Sequence, residues 1–173
     1  MEQEIPESLK VVRERAIDRP KYRGVLHAYC FFLSIPVGVT LIITSPSPRT
    51  SFAAAAFAFG ISSMLGISAL FHRTKFSDHD WMRFRRLDHI GIYLCIAGGY
   101  TPIGMLAVSG WVQKTLLITA WAGVAIGAII RFLPFDPPYG LMNALFLSMG
   151  WVAIVAIPQL SDFLDLTWLI LLA

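Results

Sequence analysis

The sequence predicts an all-α protein whose helices cross a membrane several times. Hydrophobic residues make up 56% of the 173 positions and charged residues only 14%, whereas soluble domains carry about 25% charged residues. The charges are grouped in short stretches, and long uncharged runs lie between them. This composition excludes a soluble domain. The net charge of +3 does not indicate nucleic-acid binding, because the basic residues are distributed as membrane topology requires.

Five apolar runs are long enough to cross the hydrocarbon core, which takes about 20 helical residues. Residues 1–22 are charged and lack the apolar core of a signal peptide, so we expect a tail followed by a transmembrane domain over residues 23–173. The short connections contain proline, serine and glycine, which are typical of turns. The predicted spans are 24–44, 51–72, 88–108, 112–132 and 139–160.

The last apolar run, residues 163–173, is too short to be a complete span. As a helix it would extend over only about 16 Å, which is half of the hydrocarbon core. We therefore expect a partial sixth span, and we interpret the chain as a truncated form of a longer protein.

Small residues in two of the spans predict close helix packing. Residues 53–56 are alanines that precede Gly60 and Gly66 in the second span, and Gly123 and Gly127 form a Gly-x-x-x-Gly in the fourth. Such residues let helix backbones approach each other within a membrane. We assign them to packing and not to a functional site.

The basic residues predict the orientation of the chain. Six lie in the N-terminal tail, five between the second and third spans and one, Arg131, after the fourth, whereas the opposite side holds only Arg49 and Lys114. Basic residues concentrate on the cytoplasmic side of membrane proteins. We expect a multi-pass protein of the plasma (inner) membrane, with its N-terminus and the 73–87 loop in the cytoplasm.

Apolar side chains beside the arginines of that loop predict a contact with lipid. Trp81, Phe84 and Leu87 are spaced by three residues, as on one side of a helical turn. We interpret them as an anchor to anionic headgroups. Membrane lipids are therefore the expected partners; nucleic acid is not expected, and nothing in the sequence indicates an oligomeric state.

Polar residues end the second span and begin the third. Ser68 and His72 are four residues apart, so they share one face of a helix. A helical hairpin would bring His72 and Asp88 to the same membrane surface. Ionisable groups within apolar segments are costly and by default mark a functional site. We predict that Ser68, His72 and Asp88 form a site at the cytoplasmic end of the bundle.

The other three histidines are interpreted as structural. His89 follows Asp88 and points about 100° away from it on a helix, so we expect its ring to bond to a backbone carbonyl. His79 lies in the predicted loop and is expected to be solvated. His27 lies one turn into the first span, where it could approach the site but is assigned to packing.

The hairpin also carries a resemblance to a known family. Its motifs are Ser68-x-x-x-His72, Leu87-Asp88-His89-x-x-Ile92-Tyr93 and Ile96-Ala97-Gly98-Gly99-Tyr100-Thr101-Pro102, and Arg23-Gly24-x-x-His27 lies near the start of the first span. This pattern resembles the hemolysin III family, which belongs with the progestin and adipoQ receptors and the alkaline ceramidases in one membrane superfamily. The resemblance runs from about Tyr22 to the C-terminus.

The resemblance implies a seven-helix fold with a zinc site. In the family a histidine on the second helix and a His-x-x-x-His on the seventh bind the metal, an aspartate on the third helix holds the metal-bound water, and a serine lies nearby. Carried over, His72 is a metal ligand, Asp88 acts on the metal through water, and Asp88 and Ser68 are the catalytic residues. This chain has no His-x-x-x-His. We therefore expect zinc in the full-length family form and weak or absent zinc binding in this chain.

Two functions from different classes remain open. The first is a zinc-dependent membrane hydrolase that acts on lipid amides, as the kinship with ceramidases implies. The second is a non-enzymatic membrane protein, either receptor-like or cytolytic, as the family name implies. Metal content of the full-length form, and its loss on His72→Ala, would separate them in part, because a bound metal can also be purely structural.

Overall fold

The computed structural model describes Tyr22 and residues 24–133 and 139–163. This part of the chain is an all-α bundle with five helical spans long and apolar enough to cross a membrane, as the sequence predicts. The fifth span, Gly140–Ser161, is interrupted by a 3₁₀ turn. Most of the N-terminal tail and residues 164–173 of the expected sixth span lie outside the described residues. The helices are α1 (Val25–Ile43), α2 (Pro48–Arg73), α3 (Asp78–Pro102, continued by a π-helical turn, Ile103–Ala107), α4 (Gly110–Phe132), α5 (Tyr139–Trp151, followed by a 3₁₀ turn, Val152–Ala156) and α6 (Ile157–Phe163).

Helix α1 packs along α2 as an antiparallel pair, and one face of α1 makes the contact. The opposite face exposes large apolar side chains, Leu26, Phe32 and Val37 among them, as expected of a lipid-facing surface. Small and polar residues let the two helices approach. Pairs of neighbours along the seam are Gly24 with His72, His27 with Ser68, Phe31 with Gly66, Ser34 with Ser62 and Gly38 with Ala58.

Helices α2 and α3 meet backbone to backbone. A Cβ atom on Gly60 would lie 2.5 Å from the carbonyl oxygen of Leu94, and one on Gly98 would lie 2.7 Å from that of Ala56. Such distances leave no room for a side chain between the helices. Ala56 and Gly60 of the predicted small-residue face therefore receive α3, whereas Gly66 of the same face meets Phe31 of α1.

Helix α4 completes the interior against α3, and its Gly-x-x-x-Gly serves packing as predicted. Gly127 faces the ring of Tyr93, which is fully buried and stacks on Phe146 of α5 at 4.4 Å between ring centroids. Gly123 faces Met149, also on α5. The two glycines thus make space for side chains of α3 and α5.

Helix α3 begins at Asp78, ten residues before the predicted third span. Ser77 caps it: the Ser77 hydroxyl accepts a hydrogen bond from the backbone N–H of Asp80, at 3.3 Å. Such a cap stabilises the first turn whatever the hydropathy of the rest of the helix. The predicted loop over residues 73–87 is therefore reduced to a short connection, Thr74–Ser77, and a charged helical extension.

Trp81 lies in this extension, and its place differs from the predicted lipid anchor. Its side chain is only 8% exposed, because it packs against Phe71 of α2 with 6.0 Å between ring centroids. The Arg85 guanidinium lies over the indole ring, 5.7 Å from its centroid. Trp81 thus helps to close the α2–α3 hairpin. Its neighbour Phe84 stacks on Phe76 of the connection, at 4.2 Å.

Candidate functional site

Ser68 lies where α1 crosses α2 and is only 6% exposed. Its hydroxyl oxygen lies 2.9 Å from Nδ1 of His27, so a hydrogen bond joins the two helices. A serine within a helix often bonds back to a carbonyl of its own preceding turn. In this structure the side-chain partner lies on the neighbouring helix, and the hydroxyl is held within the protein.

His72 lies one turn beyond Ser68, against the first residue of the α1–α2 seam. A Cβ atom on Gly24 would lie 2.8 Å from the Cβ atom of His72. Gly24 also has a φ of 77° and immediately precedes α1, a left-handed conformation that favours glycine. The His72 ring is half-buried and tilted against Phe71, with 5.0 Å between ring centroids. The start of α1 is therefore fitted onto His72.

The level of Asp88 is fixed by the contacts on either side of it along the α2–α3 pair. Gly91 faces Met64, whose Cα would lie 3.2 Å from a Cβ on that glycine, and Trp81 faces Phe71. Asp88, half-buried on α3, therefore lies between the levels of Met64 and Phe71, the part of α2 that contains Ser68. The fold brings Ser68, His72 and Asp88 to one end of the bundle; the predicted approach of His72 to Asp88 stays a prediction.

His89 lies beside Asp88 but on a different face of α3. Its Nδ1 donates a hydrogen bond to the Arg85 carbonyl, at 2.6 Å, so the backbone partner predicted for this ring is confirmed. One turn further, Tyr93 packs on Gly127 of α4. His89 therefore belongs to the α3–α4 contact, whereas Asp88 is about 100° away around the helix.

His27, which the sequence predicts to be a packing residue outside the site, is joined to the site in the structure. It does fill the α1–α2 seam, but its partner is the hydroxyl of a predicted site residue. The Arg23-Gly24-x-x-His27 motif carried the signal, because it places a glycine and a histidine one turn apart at the start of a span. His79, the remaining histidine, has a side chain outside the described residues.

The described residues do not make up the zinc site that the family resemblance implies. Structural and catalytic zinc sites take three or four protein ligands. Within residues 24–133 and 139–163, no three His, Cys, Asp or Glu side chains are grouped so that they could hold a metal ion. His72 and Asp88 are the family positions that this chain supplies.

Comparisons with known proteins bear on nearly the whole length of the chain. A family profile described as Haemolysin-III related matches residues 15–172. Hemolysin-3 of Bacillus cereus is 36% identical over 143 residues, which cover 80% of this chain and 64% of that protein. The Hemolysin-3 homolog of Bacillus subtilis (strain 168) is 33% identical over 142 residues, which cover 79% of this chain and 65% of that protein. No solved structure matches the chain.

These matches include the candidate site but not the full length of the relatives. The aligned part of the chain spans just under two thirds of the length of either Bacillus relative. The profile covers the α1–α2 seam as well as the polar ends of α2 and α3, so it includes every residue of the candidate site and agrees with the motifs of the hairpin. The chain belongs to the haemolysin-III related family.

Proposed function

We propose that the protein, in its full-length family form, is an integral membrane hydrolase that cleaves lipid amides at the end of the bundle that carries Ser68, His72 and Asp88. The observation that carries this proposal is the enclosed Ser68 hydroxyl, held by an interhelical hydrogen bond at the level of an acidic residue. Enclosed polar groups within a membrane are costly unless they have partners. A polar site at this depth lies within reach of the headgroup region, where the amide bond of a lipid is found.

The chemistry assigned to this site is attack of water on the amide carbonyl carbon. The Asp88 carboxylate takes a proton from the attacking water, the carbon–nitrogen bond breaks, and the same proton passes to the departing amine. The products are a fatty acid and an amine. Ser68 offers a hydroxyl that holds either the water or the carbonyl oxygen. His72 is the ligand that this chain would contribute to the zinc implied by the family, and zinc would supply Lewis-acid polarisation.

The proposed location of the site rests on charge. Twelve of the fourteen basic residues lie on the side of the chain that includes the N-terminal tail and the α2–α3 connection, and this asymmetry supports a cytoplasmic N-terminus in the plasma (inner) membrane. In that orientation the polar end of the bundle meets the cytoplasmic leaflet. Lipid amides of that leaflet are then the proposed substrates.

The test uses protein expressed from its complete natural reading frame and purified in detergent. A short-chain fluorescent ceramide serves as the lipid amide, and release of the labelled fatty acid is measured. We expect hydrolysis that Asp88→Asn reduces by about a hundredfold, as for loss of a general base. Ser62→Ala, which removes a hydroxyl of α2 outside the site, should keep the activity. Absence of hydrolysis, or full activity of Asp88→Asn, would contradict the proposal.

The second candidate function is cytolysis without an enzymatic reaction. The observation that favours it is the name of the Bacillus cereus relative, Hemolysin-3. Release of haemoglobin from erythrocytes, measured beside ceramide hydrolysis, separates the two candidates. Cytolysis that persists in Asp88→Asn, in a preparation without hydrolysis, would favour this second function.

A further inference from the structure

We propose that His27 is a positioning residue of the site: its ring nitrogen sets the direction of the Ser68 hydroxyl. This inference rests on the proposed hydrolysis for its chemical consequence, whereas the hydrogen bond itself stands independently of it. The sequence predicts only a packing role for His27, and the resemblance to the family implies no role for a residue of the first span.

The His27 ring has a fixed place in the α1–α2 seam. Helix α1 begins directly after Gly24, and the N–H of Ala28 donates to the Gly24 carbonyl at 3.0 Å. A Cβ on Gly24 would meet the side chains of His72 and Arg73 at 2.8 and 3.4 Å. The start of α1 is therefore seated on the last turn of α2. Since His27 lies three residues after Gly24, the same contact positions His27 beside Ser68.

The Ser68 hydroxyl takes its orientation from this ring. A serine hydroxyl rotates freely unless a partner fixes it, and the partner that the structure gives Ser68 is Nδ1 of His27, at 2.9 Å. With Ser68 only 6% exposed, solvent competes weakly for this hydroxyl. The interhelical bond therefore determines which way the remaining hydrogen-bonding positions of Ser68 face.

The chemical consequence concerns the single proton of the Ser68 hydroxyl. A hydroxyl has one proton to donate and two lone pairs that accept. When Nδ1 of His27 accepts, the Ser68 hydroxyl donates its hydrogen bond to the ring and offers lone pairs that can hold the attacking water. When Nδ1 carries a proton and donates, the Ser68 proton is free for the amide carbonyl oxygen. His27 thus decides which of these two roles Ser68 performs, without itself touching the substrate.

The hydrogen bond is tested by spectroscopy, which needs no catalytic activity. Protein with ¹⁵N-labelled histidine in detergent gives ring-nitrogen resonances, and the signals lost in His27→Asn identify those of His27. We expect Ser68→Ala to shift the Nδ1 resonance of His27, and Ser62→Ala, on the same helix nearly two turns away, to leave it unchanged. An unchanged His27 spectrum in Ser68→Ala would overturn the proposal.

The positioning role is tested by kinetics of ceramide hydrolysis in the full-length protein. We expect His27→Leu to lower kcat about tenfold, as for loss of one hydrogen bond in the transition state, with KM changed less than about twofold. His27→Asn should recover most of kcat, because an amide atom on Cγ can replace Nδ1. Ser34→Ala is the matched control, since it breaks the 2.8 Å Ser34–Ser62 bond of the same seam.

The outcomes separate the two proposals. If Ser34→Ala lowers kcat as much as His27→Leu, or if His27→Asn recovers nothing, His27 is only a packing residue and the inference is overturned. If the wild-type protein hydrolyses no lipid amide, the proposed function fails, and the ¹⁵N spectra alone decide whether His27 fixes Ser68. A tenfold loss in His27→Leu with recovery in His27→Asn supports both.

Discussion

Gly24 lies so close to His72 that a side chain on Gly24 would displace the histidine. The Cβ position of Gly24 is 2.8 Å from the His72 Cβ atom, and the glycine has a φ of 77°. Two separate demands, on backbone conformation and on space, therefore meet at a single residue. Between them they fix the start of α1 against the candidate site.

Replacing Gly24 by alanine should destabilise the protein by about 2 kcal/mol, because the left-handed backbone costs about 1 kcal/mol and the overlap with His72 adds to it. Thermal unfolding in detergent is the measurement. Gly110→Ala is the matched control, since Gly110 also has a positive φ, of 65°, but a Cβ there meets nothing within 4 Å. Equal losses in the two variants would show that contact with His72 contributes nothing.

Two adjacent glycines of α3, Gly98 and Gly99, test the α2–α3 contact. Gly98→Ala should lower the unfolding temperature, because its Cβ would lie 2.7 Å from the Ala56 carbonyl oxygen and the two backbones would have to separate. Gly99→Ala places a methyl group in open space within the same helix and should raise stability by a fraction of about 1 kcal/mol. If both variants behaved alike, the backbone contact would not be a determinant of the fold.

The orientation is tested by labelling single cysteines in intact cells. In a background without Cys30 and Cys95, Lys75→Cys lies in the exposed connection between α2 and α3, and Pro46→Cys lies in the exposed turn between α1 and α2. A membrane-impermeant maleimide should label position 46 and spare position 75, because the basic end is predicted to be cytoplasmic. The reverse pattern would place the candidate site on the outer side.

The 173-residue chain itself should bind zinc weakly. Only His72 and Asp88 match the family's metal positions, and a site with so few protein ligands holds zinc poorly. Elemental analysis after washing with a weak chelator should find well below one equivalent. One equivalent of zinc that is lost in His72→Ala and retained in His79→Ala would mean that the chain assembles a site from residues assigned to packing.

Apolar runs were sufficient to predict the helices because membrane spans are defined by length and hydropathy. The start of α3 was not predicted, for a physical reason. The Asp78–Leu87 stretch is too charged to belong to an apolar run, yet a helix capped by Ser77 and packed through Trp81 continues beyond that run. Trp81 was misplaced for the same reason, since its burial depends on a hairpin contact with Phe71.

The candidate site could be predicted only within single helices. The spacing of Ser68 and His72 assigns them to one face from the sequence alone. The bond between His27 and Ser68 joins residues 41 positions apart, and it depends on the register in which α1 meets α2. That register is set by Gly24, Gly38 and Gly66, and the residue that each glycine meets on the opposing helix is known only from the structure.

The backbone contact at Gly60 and Gly98 has a mechanical consequence for the site. Two helices that touch without intervening side chains move as one rigid unit, because sliding would force a carbonyl oxygen into the opposite main chain. His72 and Asp88 are carried on the same two helices, towards the end where the short Thr74–Ser77 connection ties them together. The backbone contact and the short connection therefore limit changes in the separation of His72 and Asp88. A bilayer of different thickness would change the tilt of the two helices together, and the spacing of the two side chains would stay nearly unchanged.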